Sequence, residues 1–274
     1  MNDMIKKELK MRKLSSREVG DLCRDMISLH SGSPDPFASI MYTLNIEPCL
    51  ALVKEASTRF ERKITFAHVL NKLLAMAINE NPVYNRVVLG PNVYELEGIH
   101  ISNAFQLPGR ELAITYVILD NPHLKTLAEI QEESIIKMVQ EIRANAHPKN
   151  RALLAARRLF FWLRLYCLVP EKVSFSVGFK TGVVSNIVLS NHDYGGPANF
   201  RTLKCVISRV RIPLRIHASA VGRQPYVEPD GSVRSRETMH LTMMGDHRIT
   251  YGIHAHLLGQ SLQRLCAEPE KYLV

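Results

Sequence analysis

Apolar residues recur at helical spacing through residues 2–31, where Leu14, Val19, Leu22, Met26 and Leu29 share a side and Ser31-Gly32-Ser33-Pro34 ends the run. A two-residue alternation follows at 39–46: Ile40, Tyr42, Leu44 and Ile46 lie on one face and predict a strand. Pro48 opens a helix carrying Leu50, Val53 and Ala56. The clearest helix covers 65–79, with Val69, Leu70, Leu73, Leu74 and Ala77 on one face and Asn81-Pro82 closing it. Short strands are predicted at 93–96, 99–104 and 111–119. An amphipathic helix at 127–144 then places its acids early and Arg143 late, the order a helix dipole favours.

Residues 151–169 read as a basic amphipathic helix, with Arg157, Arg158 and Arg164 set against Phe160, Leu163 and Cys167. Such a helix packs an aromatic face on its domain, lies on a membrane surface, or binds an acyl chain. Strands resume at 173–179, 185–189, 206–211 and 214–221. Glu228-Pro229-Asp230-Gly231 is a hairpin turn, a strand at 238–244 runs into Gly245-Asp246-His247-Arg248, and Leu257, Leu258, Leu262 and Leu265 mark a final helix at 253–267. No repeat, low-complexity tract or linker divides the pattern. It predicts one α/β domain over 1–274, with an N-terminal helical segment (1–31) and the basic helix (151–169) inside it.

Composition adds a core and a charge. With 274 residues, 46% of them hydrophobic, the chain can bury a sizeable interior. Cys23, Cys49, Cys167, Cys205 and Cys266 form no metal-spaced cluster, so reduced thiols in a cytoplasmic protein and no metal are expected. No 18-residue stretch is free of charge, and residues 1–13 lack the apolar centre of a signal peptide. The net charge is +9, from 35 basic and 26 acidic residues. Residues 145–215 alone hold twelve basic residues against Glu171 and Asp193. That concentration suits a polyanionic ligand, an acidic protein or an anionic membrane surface. No nucleic-acid-binding signature accompanies it, so nucleic acid is not the expected partner.

One segment is less anonymous. Residues 239–252, Met-His-Leu-Thr-Met-Met-Gly-Asp-His-Arg-Ile-Thr-Tyr-Gly, resemble the strand-plus-turn signature of dihydrolipoyl acyltransferases and, more distantly, chloramphenicol acetyltransferase. Ile187-Val188-Leu189-Ser190-Asn191, Asn81-Pro82-Val83-Tyr84-Asn85 and Arg12-Lys13-Leu14 match further stretches of that family in order. The resemblance is to the catalytic domain of 2-oxoacid dehydrogenase acyltransferases, without lipoyl or subunit-binding modules. It implies a two-layer α/β sandwich with a mixed β-sheet, assembled as a homotrimer with its site between subunits. It also implies an acyl-thioester donor and coenzyme A or another pantetheine thiol as substrate.

Acyl transfer between thiols needs a base to form the attacking thiolate and a donor for the tetrahedral oxyanion. The resemblance gives the first role to His247 and the second to Ser190. Asp246 and Arg248 would orient the histidine turn, with Asn191, His192 and His254 as possible neighbours. Tyr251 departs from the pattern, because the family carries an aspartate there, paired with an arginine near the first helix. Arg12 stands in that arginine's place and is expected to find no acid. That departure keeps a second reading open, a non-catalytic scaffold that retains the assembly surface. A third is a membrane-associated acyltransferase acting on lipid-like groups through residues 151–169. No Gly-x-Ser-x-Gly elbow, P-loop or dinucleotide fingerprint occurs, which argues against hydrolase, kinase and Rossmann chemistry.

Overall fold

A computed structural model describes residues 10–30, 36–106, 114–146, 159, 170, 172, 173, 175, 187–191 and 214–273. The basic helix expected at 151–169 and the strands expected at 173–179 and 206–211 lie outside the described residues, isolated positions apart.

The N-terminal segment is a correction to the helix expected there. Met11–Lys13 is a strand (β1), paired antiparallel with Asn92–Leu96 (β4) so that Arg12 faces Glu95. Helix begins only after Ser15, whose hydroxyl caps the Glu18 N–H while the Glu18 carboxylate accepts the Ser15 N–H at 2.9 Å. This reciprocal cap fixes the boundary. Gly20, at φ +78°, separates Ser16–Val19 (α1) from Asp21–Leu29 (α2). Leu14 and Ile27 are buried with Val88, Val93 and Ile249, so tertiary partners override local helical spacing. Arg86–Leu89 (β3) completes a three-stranded sheet in the order β1-β4-β3.

The other described elements follow the hydrophobic pattern closely. They are Phe37–Asn45 (β2), Glu47–Arg59 (α3), Phe66–Glu80 (α4), His100–Gln106 (β5), Ile114–Asp120 (β6) and Leu127–Ala146 (α5). Then come Ile187–Asn191 (β7), Leu214–Ala218 (β8), Gly222–Val227 (β9), Val233–Asp246 (β10), Gly252–Ala267 (α6) and Pro269–Leu273 (α7). Gly231 takes φ +81° in the turn joining β9 to β10, where Asp230 accepts the Ser232 N–H.

The main sheet runs β2-β10-β8-β7-β5-β6, with β9 added on β10. It is mixed: β10 is antiparallel to β2 and β8, whereas β8, β7 and β5 are parallel. Leu44, Ile101, Ile216, Ala218, Leu241 and Met243 enter one core with Leu70, Leu73 and Leu74 of α4 and Leu258 and Leu262 of α6. Each such large side chain contributes about 1.5–3 kcal/mol by leaving water. The result is an α/β two-layer sandwich, helices on one face of a mixed sheet. Among the described residues no helix is long and apolar enough to cross a membrane.

Candidate active site

Strand β10 delivers the histidine turn. From Thr238 to Thr250 every residue is buried except His247, which is exposed. The turn holds that exception outward by satisfying its own polar groups. The Asp246 carbonyl accepts from Ile249 N (3.1 Å), Thr250 N (2.9 Å) and Thr250 Oγ1 (2.8 Å), while His247 N donates to Pro36 O at 2.7 Å. Gly245 is closely packed: a Cβ there would stand 3.1 Å from Thr250 Oγ1 and 3.4 Å from Tyr84 Cε1, so a larger residue would press on the turn. Beneath the turn, Arg248 grips Asp246 with two parallel bonds, Nε to Oδ1 at 2.9 Å and Nη2 to Oδ2 at 2.6 Å, and both side chains are buried. Arg248 N adds a third bond to Oδ1 at 3.0 Å. Neither side chain is spare for solvent or a ligand, so the pair locks the loop.

Tyr251 caps the following helix. Its ring lies 6.0 Å from the His247 ring and 5.6 Å from the His254 ring, centroid to centroid. Its hydroxyl meets Arg248 O at 3.0 Å and Cys23 Sγ at 3.3 Å, tying α2 to the histidine turn. Burial, and then the Cys23 thiol, push the phenol well above its ordinary range, so Tyr251 is neutral. The half-buried His254 accepts the Tyr251 N–H on Nδ1 at 3.0 Å, leaving Nε2 to carry the proton. Burial, followed by the nearby Arg86 charge, lowers its pKa.

Arg12 is not without an acid, contrary to expectation. Its guanidinium meets Glu18 at 2.6 Å and Glu95 at 3.4 Å. The bond from Arg12, followed by those from Ser15, holds Glu18 down at about 2. Arg12 is therefore occupied on the small sheet. Cys23 was not among the residues singled out by sequence, because nothing local signals a contact with a residue 228 positions away.

Ser190 and Asn191 end β7, where they are the Cα partners of His217 and Ala218 on β8; His192 lies outside the described residues. The register measures how far Ser190 stands from His247. His217 is in turn the partner of Thr242, and His247 lies five residues beyond Thr242 along β10. At ~3.4 Å per residue along the strand and ~4.8 Å per strand across, the two backbones of one chain are about 19 Å apart. Among the described residues no group of three or more His, Cys, Asp or Glu side chains could hold a metal ion.

No protein-family model and no curated protein matches the chain. Solved structures do. The cubic core of the pyruvate dehydrogenase multienzyme complex superposes with TM-score 0.63 at 16% identity, covering 91% of this chain and 88% of that one. The dihydrolipoamide acetyltransferase of Azotobacter vinelandii gives TM-score 0.63 at 15% identity over 91% of each chain. A chloramphenicol acetyltransferase gives 0.52 at 12% identity over 93% of this chain and all of that one. At such identities the likeness establishes the fold, and this chain has the architecture of these structures.

Proposed function

We propose that the protein is an acyltransferase, moving an acyl group between a thioester and a coenzyme A or pantetheine-type thiol at a site built from two copies of the chain. The observation that carries this reading is His247, the single exposed side chain in a buried run from 238 to 250 on a turn locked from below. In the reaction, His247 takes the proton of the incoming thiol. The thiolate attacks the thioester carbonyl, and Ser190 of the adjoining copy donates its hydroxyl proton in a hydrogen bond to the oxyanion. Collapse expels the donor thiolate, which recovers the proton from the imidazolium. Each role matches a residue type: imidazole titrates near neutrality, and an oxyanion needs a preplaced donor.

The 19 Å estimated between His247 and Ser190 in one chain supports an intersubunit site. So does the likeness to a cubic core, since a cube places its copies about three-fold axes. Assembly as a trimer, or a multiple of one, is part of this reading. The basic residues between 145 and 215 suit the phosphates of coenzyme A. The fold match covers 91% of the chain and supports a single catalytic-type domain.

Tyr251 favours the alternative, a non-catalytic scaffold. Work on the Azotobacter enzyme addresses a serine, a histidine and an asparagine four residues after that histidine in its catalytic mechanism. Four residues after His247 stands Tyr251, whose hydroxyl is turned to Cys23 and Arg248 O. The two readings separate in a thiol-release assay over a panel of acyl-coenzyme A donors. His247→Ala is expected to lose about 10²–10⁴-fold. Equal background rates for wild type and His247→Ala leave the scaffold standing.

A further inference from the structure

Helix α5 has two apolar sides, and its own domain uses one of them. Leu127 and Ile130 are fully buried. Lys137 fastens the helix to the end of β6, donating to Ile118 O at 2.8 Å and to Asp120 at 2.7 Å. Ile135, Ile136, Val139 and Ile142 lie on a different side and are between 36% and 50% exposed. At 100° per residue Ile135, Val139 and Ile142 fall within about 60° of one another, with Ile136 beside them. A helix face left to water is ordinarily polar, so four β-branched side chains there mark a contact. Their steps of four and three residues are those of a coiled-coil seam, and β-branched side chains have little rotamer freedom to lose in packing.

We propose that this stripe is an interface with a second copy of the chain, the two α5 helices packed antiparallel about a two-fold axis near Ile136. Charge selects both the occupant and the direction. Glu129 stands in the first turn of α5 and Arg143 in the last, each seven residues from Ile136. Antiparallel packing sets Arg143 of each copy against Glu129 of the other, whereas parallel packing sets like charges together. An anionic membrane surface would meet the exposed Glu129 and Glu132 and be repelled. The contact lies apart from the acyl-transfer site: α5 packs beside β6 at one end of the main sheet, and His247 follows β10 near the other. Under the trimer reading it joins one trimer to another, and it stands without that reading.

The test weighs the full chain by light scattering and sedimentation at micromolar concentration. Ile135→Glu/Val139→Glu sets carboxylates against one another in the contact, so its mass falls at least two-fold below wild type while its circular dichroism is unchanged. Equal masses overturn the proposal, and if that variant then also loses binding to anionic liposomes, the stripe belongs to a membrane. A wild-type dimer that the variant splits into monomers upholds the α5 contact and removes the trimer reading; a trimer unmoved by the substitutions does the reverse. Direction is read by cysteine cross-linking under copper-catalysed air oxidation. Ile136→Cys gives a disulfide-linked dimer above the wild-type background, while Arg143→Cys does not, because about 21 Å of helix separates it from its own copy. Cross-linking of both variants means a parallel pair, cross-linking of neither means no α5 pair, and either result overturns the proposal.

Discussion

Replacing Arg248 by Leu removes the guanidinium that closes on Asp246. Both side chains are buried, and the Arg248 fork supplies two of the bonds to that carboxylate. After the substitution the backbone N–H at 248 is the donor left from this set. Breaking one side of such a pair costs about 3–5 kcal/mol, chiefly because an uncompensated charge stays out of water. For a chain of this size a kcal/mol moves the melting temperature roughly 2–4 °C, so a fall of about 10 °C is expected. The double variant Asp246→Leu/Arg248→Leu removes the stranded charge and should recover much of the loss. Thermal melts followed by circular dichroism, at one fixed protein concentration because assembly contributes to stability, read both variants. A single-variant loss below about 1 kcal/mol, or a double variant no better than the single, would refute the claim that this pair locks the histidine turn.

Three further outcomes are expected. Tyr251→Asp should not raise the acyl-transfer rate, because Arg12 is held by Glu18 and Glu95. It should destabilise by about 1–3 kcal/mol through loss of the contacts to Cys23 and Arg248 O beside the Asp246 charge, and a faster, equally stable variant would show that a cation is in reach. His68, whose Nδ1 accepts the Thr65 N–H at 3.0 Å, has its pKa lowered from 6.5 to about 4 by burial. Its contribution is thus complete above pH 6.5 and lost as pH falls towards 4, a slope that urea titrations should find shallower in His68→Gln and that His123 and His254, lowered in the same direction, keep from vanishing. Replacing Arg157, Arg158 and Arg164 with Gln should abolish any binding to anionic liposomes that weakens as salt shortens the Debye length to about 3 Å at 1 M; equal binding to neutral liposomes returns residues 151–169 to a packing role.

Much of the architecture is legible where burial and local periodicity agree. The α4 face of Val69, Leu70, Leu73, Leu74 and Ala77 is buried as its spacing requires, and β2 alternates about Leu44. The strand β1 was unreadable because Met11 and Leu14 also fit a helical period; pairing with β4, eighty residues on, decides between them. Strand β3 is short, and its signal, Val87-Val88 ahead of Gly90-Pro91, was present but slight. At the site, the motif around His247 could be recognised, whereas the partners of Arg12 and Tyr251 could not. Glu18 meets Arg12 only because Ser15 caps a helix there, and Cys23 reaches Tyr251 only through the fold. His217 shows the intermediate case: the alternation Leu214, Ile216, Ala218 announces a strand with Arg215 and His217 on its other face, but only the register names Ser190 as a partner.

The central claim, one site shared between copies, is tested most directly by mixing two crippled chains. His247→Ala and Ser190→Ala are each expected to form intact trimers with little thiol release. Refolded together in equal amounts, they assemble mixed trimers in which a chain with a good His247 meets a neighbour with a good Ser190. For random assembly about a quarter of the sites are then complete, and about a quarter of wild-type activity should return. Mixed trimers that stay as inactive as either parent would contradict a site shared between copies.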